Sequence, residues 1–267
     1  MKRLVLSNFS MILLALPASA SVDIKEVKTS GGLTAWLVED HSIPFMALEI
    51  RFRGGGSLDA PGKRGEINLM TALLEEGAAD MDARAYARAV EGLAASVSFG
   101  VDDDAVSVSA RFLTENREEA VALLKDALQQ PRFDEDALQR VRQQVLSKIE
   151  SDAKDPDALA SRTMDRIAFG DHPYATSLYG TTESVSALTR DDLIAAHGKV
   201  LARDRVYIGA VGDITEEDLA VLLDDLLGGL PETGAPMPPP VDVQISGAVT
   251  VVPFDTPQSV ARFAQRG

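Results

Sequence analysis

Hydrophobic positions along the chain change period several times, and each change marks an element. LTAWLV (33–38) and FMALEIRF (45–52) are short runs rich in strand-forming residues. A turn around Pro44 separates them, which predicts a pair of neighbouring strands. LAASVSFG (93–100) and AVSVSARF (105–112) alternate small or apolar with polar residues on either side of VDDD. That alternation predicts a hairpin with one buried face.

From residue 116 the period becomes helical. Asn116 with Glu119 reads as a capping box opening EEAVALLKDALQQ, which keeps Leu123, Leu124, Ala127 and Leu128 on one face and stops at Pro131. DEDALQRVRQQVLSKIESD comes next, with Leu138, Val141, Val145 and Ile149 at helical spacing. DPDALASRTMDRIAFG opens at Pro156 and ends at Gly170. Thr189 with Asp192 caps DDLIAAHGKVLA, and Thr215 with Asp218 caps EEDLAVLLDDLLGG, which ends on Gly228 and Gly229. Between these two helices RVYIGAVGD reads as a buried strand. The order argues for an α+β fold, an antiparallel or mixed sheet with helices packed on one face.

One helix raises a chemical question. KRGEINLMTALLEEGA (63–78) has a glycine to open it, an apolar stripe, an acidic end and a closing Gly77. Glu75 and Glu76 invite a reading as a carboxylate pair, but adjacent helical residues point about 100° apart. Both are expected to solvate the end of the helix.

The prolines and the two ends set the domain limits. PETGAPMPPPVD (231–242) holds five prolines after a helix stop and reads as a stiff exposed linker, extending to about 245. The last segment, 246–267, reads as one strand, a turn and part of another, too short to bury a core alone. It is expected to begin a second, incomplete copy of the domain spanning 21–230. At the other end, MKRLVLSNFSMILLALPASA has two early cations, an apolar run and a close on Ala18-Ser19-Ala20. This is the pattern of a cleavable secretory signal over 1–20, implying a periplasmic or secreted protein. No later segment is apolar for long enough to span a bilayer.

Charge and composition narrow the partners. The 267 residues carry a formal charge of −15, more negative still without Lys2 and Arg3. Such a surface repels nucleic acid and anionic lipid. With no cysteine, disulfides, thiolate metal sites and cysteine nucleophiles are all excluded.

Three phrases together resemble the insulinase and pitrilysin family of zinc metallopeptidases, which includes the mitochondrial processing peptidases. They are GGLTAWLVEDHSIPFMALEIRFRGGGSLDAPGKRG, FGDHPYATSLYGTTESVSALTRDDLIAAHGKVL and VYIGAVGDIT. The second, with His172, Pro173, Tyr174 and Gly180, is the most specific. The resemblance implies tandem α+β domains closing around an unfolded peptide. Active members carry H-x-x-E-H on the helix after the glycine, because imidazoles at i and i+4 reach one metal and the intervening Glu serves as base. Counted from Gly65, those positions fall here on Asn68, Thr71 and Ala72. The position of a further Glu ligand falls on Lys148, with Glu150 two residues on and turned about 200° around the helix. The resemblance therefore implies a member without catalytic residues, metal ligands or zinc of its own. It resembles the subunits that pair with an H-x-x-E-H partner, and zinc is expected only in that partner. The family takes substrate as an added strand, and the matching edge here is near Val97, Ser98 and Phe99.

Other chemistry is weaker. His41, His172 and His197 are far apart in sequence, and are expected in a turn, in a helix-ending loop and on a solvated helix face. No G-x-S-x-G motif is present. RGGGS (53–57) lacks the Lys-Ser/Thr tail of a phosphate loop, so its glycines are expected to serve the backbone alone. Three functions remain open: a peptide-binding subunit without an active site, a free-standing scaffold of the same fold, or a hydrolase using unrecognised residues.

Overall fold

The computed structural model describes residues 22–245 and 247–265, so the leader expected over 1–20 lies outside the described residues. Strands β1 (Lys25–Lys28), β2 (Thr34–Glu39) and β3 (Phe45–Arg53) come first. A 3-10 turn at Gly55–Leu58 leads to α1 (Glu66–Ala72). Two-residue strands β4 (Gly77–Ala78) and β5 (Met81–Asp82) precede α2 (Ala83–Gly92). The acidic hairpin is β6 (Ser96–Val101) and β7 (Ala105–Leu113). Helices α3 (Arg117–Gln129), α4 (Glu135–Asp152), α5 (Pro156–Phe169), α6 (Thr182–Ala187) and α7 (Arg190–Val200) come after it. The last elements are β8 (Val206–Gly212) and α8 (Glu216–Leu227).

The main sheet is mixed, in the order β1-β2-β8-β3-β7-β6. The pair expected from the Pro44 turn does not form: β8 lies between β2 and β3, parallel to the first and antiparallel to the second. A turn signal fixes only a reversal of direction, whereas burial decides which strands become neighbours. β8 buries Ile208, Ala210 and Gly212, and takes a central place although it lies far from both neighbours in sequence. The hairpin forms as expected, from Ser96 opposite Arg111 to Val101 opposite Val106.

Alternation along each strand becomes burial. Met46, Leu48, Ile50 and Phe52 of β3 join Val106, Val108, Ala110 and Phe112 of β7 on the face the helices cover. Each large apolar side chain so buried contributes about 1.5–3 kcal/mol. On the opposite face Trp36 and Tyr207 are both exposed, and they stack with ring centroids 6.5 Å apart.

Two of the three expected helix caps form, and one helix ends earlier than expected. Thr189 and Asp192 form a full box, and Thr215 accepts from the Asp218 amide. Asn116 makes no cap bond, because its amide donates instead to the Leu93 carbonyl at 2.9 Å and ties α3 to the end of α2. α1 ends at Ala72 rather than running to Gly77; a turn there buries both Leu73 and Leu74.

Past α8 the chain is pinned first and then free of regular structure. Arg203 and Asp204 donate backbone bonds to Pro231 and Glu232, and Ala235 donates to Lys199. The described residues of 241–265 form neither helix nor strand, in contrast to the strand read from their alternation. A lone strand without a neighbour gains no ladder bonds.

Candidate functional site: the glycine-led helix and the sheet edge

The N-terminal end of α1 is held from every side. Gly65, at φ 94, opens the helix, and Asp59 accepts from the Gly65 and Ile67 amides at 2.8 and 2.9 Å. Burial pushes the Asp59 carboxyl up to about 6, against the pull of those amides and of Arg64. Arg64 donates to the carbonyls of Ser177 and Thr176, to Gly56, to Asp59, and to Asp103 at 2.5 Å. Glu66 is fully buried. One oxygen accepts from Lys199 at 2.5 Å and from the Ala60 amide; the other has no partner among the described residues.

The phrases that carried the family resemblance meet here. A Cβ on Gly180 would sit 2.1 Å from the Arg64 carbonyl oxygen, and Gly180 has φ 79. The Tyr174 hydroxyl donates to Asp104, and Ser184 donates to the Arg64 carbonyl at 2.7 Å. The amides of Gly54, Gly56 and Ser57 donate to the carbonyls of Asp104, Asp102 and Asp103. These amides are therefore occupied by the hairpin turn and closed to a phosphate, as the backbone reading of RGGGS expected.

The positions that the resemblance sets against the H-x-x-E-H motif and the further ligand lie further along α1 and on its neighbour α4. Asn68 and Thr71 are buried and Ala72 is exposed. The Thr71 hydroxyl has no partner among the described residues. α4 packs against α1 and carries Lys148, whose ammonium donates to Asp152 at 2.5 Å and lies 5.5 Å from the Tyr179 ring centre. The bond to Asp152 raises the Lys148 pKa and keeps it cationic. Glu150 points elsewhere, to Lys154 at 2.6 Å. An amide, a hydroxyl, a methyl and an ammonium do not fit zinc, which requires imidazole, thiolate or carboxylate ligands. Among the described residues no group of three or more histidines, cysteines or acids could hold a metal ion.

The histidines divide. His41 lies in the turn before Pro44, bridging Asp213 at 2.6 Å and Glu39 at 2.8 Å, and those carboxylates raise its pKa. His172 lies just past the end of α5 and accepts from the Tyr174 amide. His197 is not on a solvated face: its Nε2 meets the Leu128 carbonyl at 2.8 Å, its ring lies edge-on to Phe133, and burial lowers its pKa. The helical stripe alone could not show that α3 packs over it.

β6 ends the sheet beside α1, so Val97, Ser98 and Phe99 do lie on an edge strand. Glu75 does more than solvate a helix end. From the turn after α1 its carboxylate accepts the Phe99 amide at 3.3 Å, while Glu76 pairs with Arg140. Desolvation beside the strand raises the Glu75 pKa. Ile67, Met70, Leu73 and Leu74 keep helical spacing, so no signal in the sequence marks the stop of the helix before Glu75. Nothing in sequence marks Arg64 as the central tie. Among the described residues no helix is long and apolar enough to cross a membrane.

Comparison with known proteins places this geometry. Residues 35–182 match the family described as Insulinase (Peptidase family M16), and residues 187–267 match the Peptidase M16 inactive domain. The non-peptidase homolog YmxG of Helicobacter pylori is 29% identical over 225 residues, 84% of this chain and 52% of that protein. A probable mitochondrial-processing peptidase subunit beta of Schizosaccharomyces pombe is 31% identical over 111 residues, 42% of this chain and 24% of that protein. The crystal structure of a peptidase M16 inactive domain from Pseudomonas fluorescens superposes with a TM-score of 0.76 at 31% identity, covering 81% of this chain and 53% of that one. The chain spans about half the length of YmxG and of the Pseudomonas protein.

Proposed function

The chain belongs to the insulinase family of peptidases, M16, and we propose that it acts as a non-catalytic, peptide-binding subunit that works beside an H-x-x-E-H partner. The observation that carries this reading is the contrast along α1. The helix is held in place by Asp59, Arg64 and Glu66, yet the four positions that bear chemistry hold Asn68, Thr71, Ala72 and a cationic Lys148. A helix so placed can wall a peptide chamber without hydrolysing its contents. The names of the similar proteins support the same direction, one a non-peptidase homolog and another a subunit of a processing peptidase.

The proposal extends to location and substrate. Export rests on the leader-like MKRLVLSNFSMILLALPASA, which would deliver the chain to the periplasm or outside the cell. The peptide substrate would add its backbone to the β6 edge, a mode that tolerates varied sequences. Zinc would belong to the partner.

The deciding experiment is co-expression of the chain with a related H-x-x-E-H subunit from the same genome, each differently tagged. Co-purification, with peptide cleavage greater than by the partner alone, is expected. A partner that is fully active alone and never co-purifies would sink the subunit reading. Metal-dependent cleavage by the purified chain would replace it with an enzyme.

A further inference from the structure

The contact between Glu75 and the edge strand bears on that same peptide site, and its meaning rests on the proposed capture of peptide at β6. In an antiparallel pair, residues alternate between facing their partner and facing away. Asp102 donates to Ala105 inside the hairpin, so Gly100, Ser98 and Ser96 also bond toward β7. Val97, Phe99 and Val101 then turn their amides and carbonyls to the free side. The Phe99 amide confirms this phase, because it points away from β7 and reaches Glu75 Oε1.

A peptide joining as the next strand must use those outward groups, and the central one is taken. We propose that Glu75 is a resident cap on the β6 edge: its carboxylate occupies the Phe99 amide, and an incoming strand binds only by displacing it. Three features favour a cap over incidental contact. Glu75 makes no ion pair with any cation among the described residues, so nothing else holds it. It sits on the turn that ends α1, where Leu73 and Leu74 are anchored in the core and fix its origin. An acid at the rim of an edge strand is also a recognised means of discouraging unwanted strand pairing.

Placed this way, Glu75 sets the affinity of the edge without contributing to the ladder. Ser98, whose amide faces β7, is the wrong position at which to probe capture; Val97, Phe99 and Val101 are the pairing residues.

The test compares the full chain with Glu75→Ala and Glu75→Gln. The probe is a short fluorescein-labelled peptide of alternating valine and lysine, with a control peptide N-methylated at its central amides. Two readouts are taken: peptide affinity by anisotropy, and hydrogen exchange at the Phe99 amide by NMR. Glu75→Ala should exchange faster at Phe99 and bind the probe about fivefold more tightly, the scale of one net hydrogen bond. Glu75→Gln, which keeps an acceptor without the charge, should fall between. The N-methylated peptide should not bind. Unchanged exchange at Phe99, or faster exchange with unchanged affinity, overturns the proposal. Faster exchange with no probe bound by either protein overturns peptide capture itself, and the proposal with it.

Discussion

The two ends of α1 are a single turn or two apart and obey different rules. At the N-terminal end the polar groups are tied to several loops: Asp59 caps the helix, Arg64 joins three loops, and one oxygen of Glu66 takes the ammonium of Lys199. At the C-terminal end the Thr71 hydroxyl has no partner among the described residues and Ala72 offers a methyl. The difference separates the residues that place the helix from those that would use it. Placement depends on backbone approach and buried charge, so a change there disturbs several loops at once. Use depends on a few side chains that the fold does not need.

The largest expected effect breaks the committed end. Arg64→Ala removes the guanidinium from Asp59, Asp103 and several carbonyls, and should cost about 3–5 kcal/mol in denaturant unfolding. A cost under about 1 kcal/mol would abolish the contrast. Gly180→Ala comes next, because its methyl meets the Arg64 carbonyl in left-handed backbone; a loss of about 2–3 kcal/mol is expected by the same measurement. At the other end the sign reverses. Thr71→Val removes a buried hydroxyl without a partner and should stabilise the protein by about 1 kcal/mol; a loss of that size would mean that the hydroxyl is satisfied after all.

The smallest effect sharpens the comparison from outside it. His41, in the turn between β2 and β3, has its folded pKa raised by Asp213 and Glu39. Its contribution is therefore fully present below the unfolded value of about 6.5 and is lost as pH rises through the folded pKa. The melting temperature of His41→Gln should lie slightly below the parent near pH 5, with the gap closing in alkali. A gap that widens with pH would contradict the bridge.

Much of the fold was legible where the information is local. Thr189 and Asp192 form the expected cap because both partners lie within one turn, and the VDDD hairpin closes where its alternation pauses. Asn116 fails as a cap because a more distant carbonyl, on Leu93, takes its amide. The place of β8 between β2 and β3 has no local signal at all. α2 is hard to read in sequence: among its ten residues only Tyr86 is buried, so its polar face dominates the pattern. In the candidate site, Asn68, Thr71 and Ala72 could be set by counting from Gly65 against the two ligands and the base that the resemblance implies, and Lys148 against the further ligand. The role of Glu75 could not, because it depends on a bend after Ala72 and on a strand that arrives only after a further helix.

The stacked pair on the face of the sheet away from the helices makes the molecule its own optical instrument. Trp36 is the single tryptophan of the chain, 45% exposed and lying parallel to Tyr207. Its emission therefore reports one surface only. Four strand spacings, about 19 Å, separate β2 from β6. A partner that covers the open face should shift the fluorescence to shorter wavelength and shield it from iodide, while a peptide seated at the far edge leaves the spectrum unchanged. One cuvette can thus tell which of the two surfaces a newly found ligand has chosen.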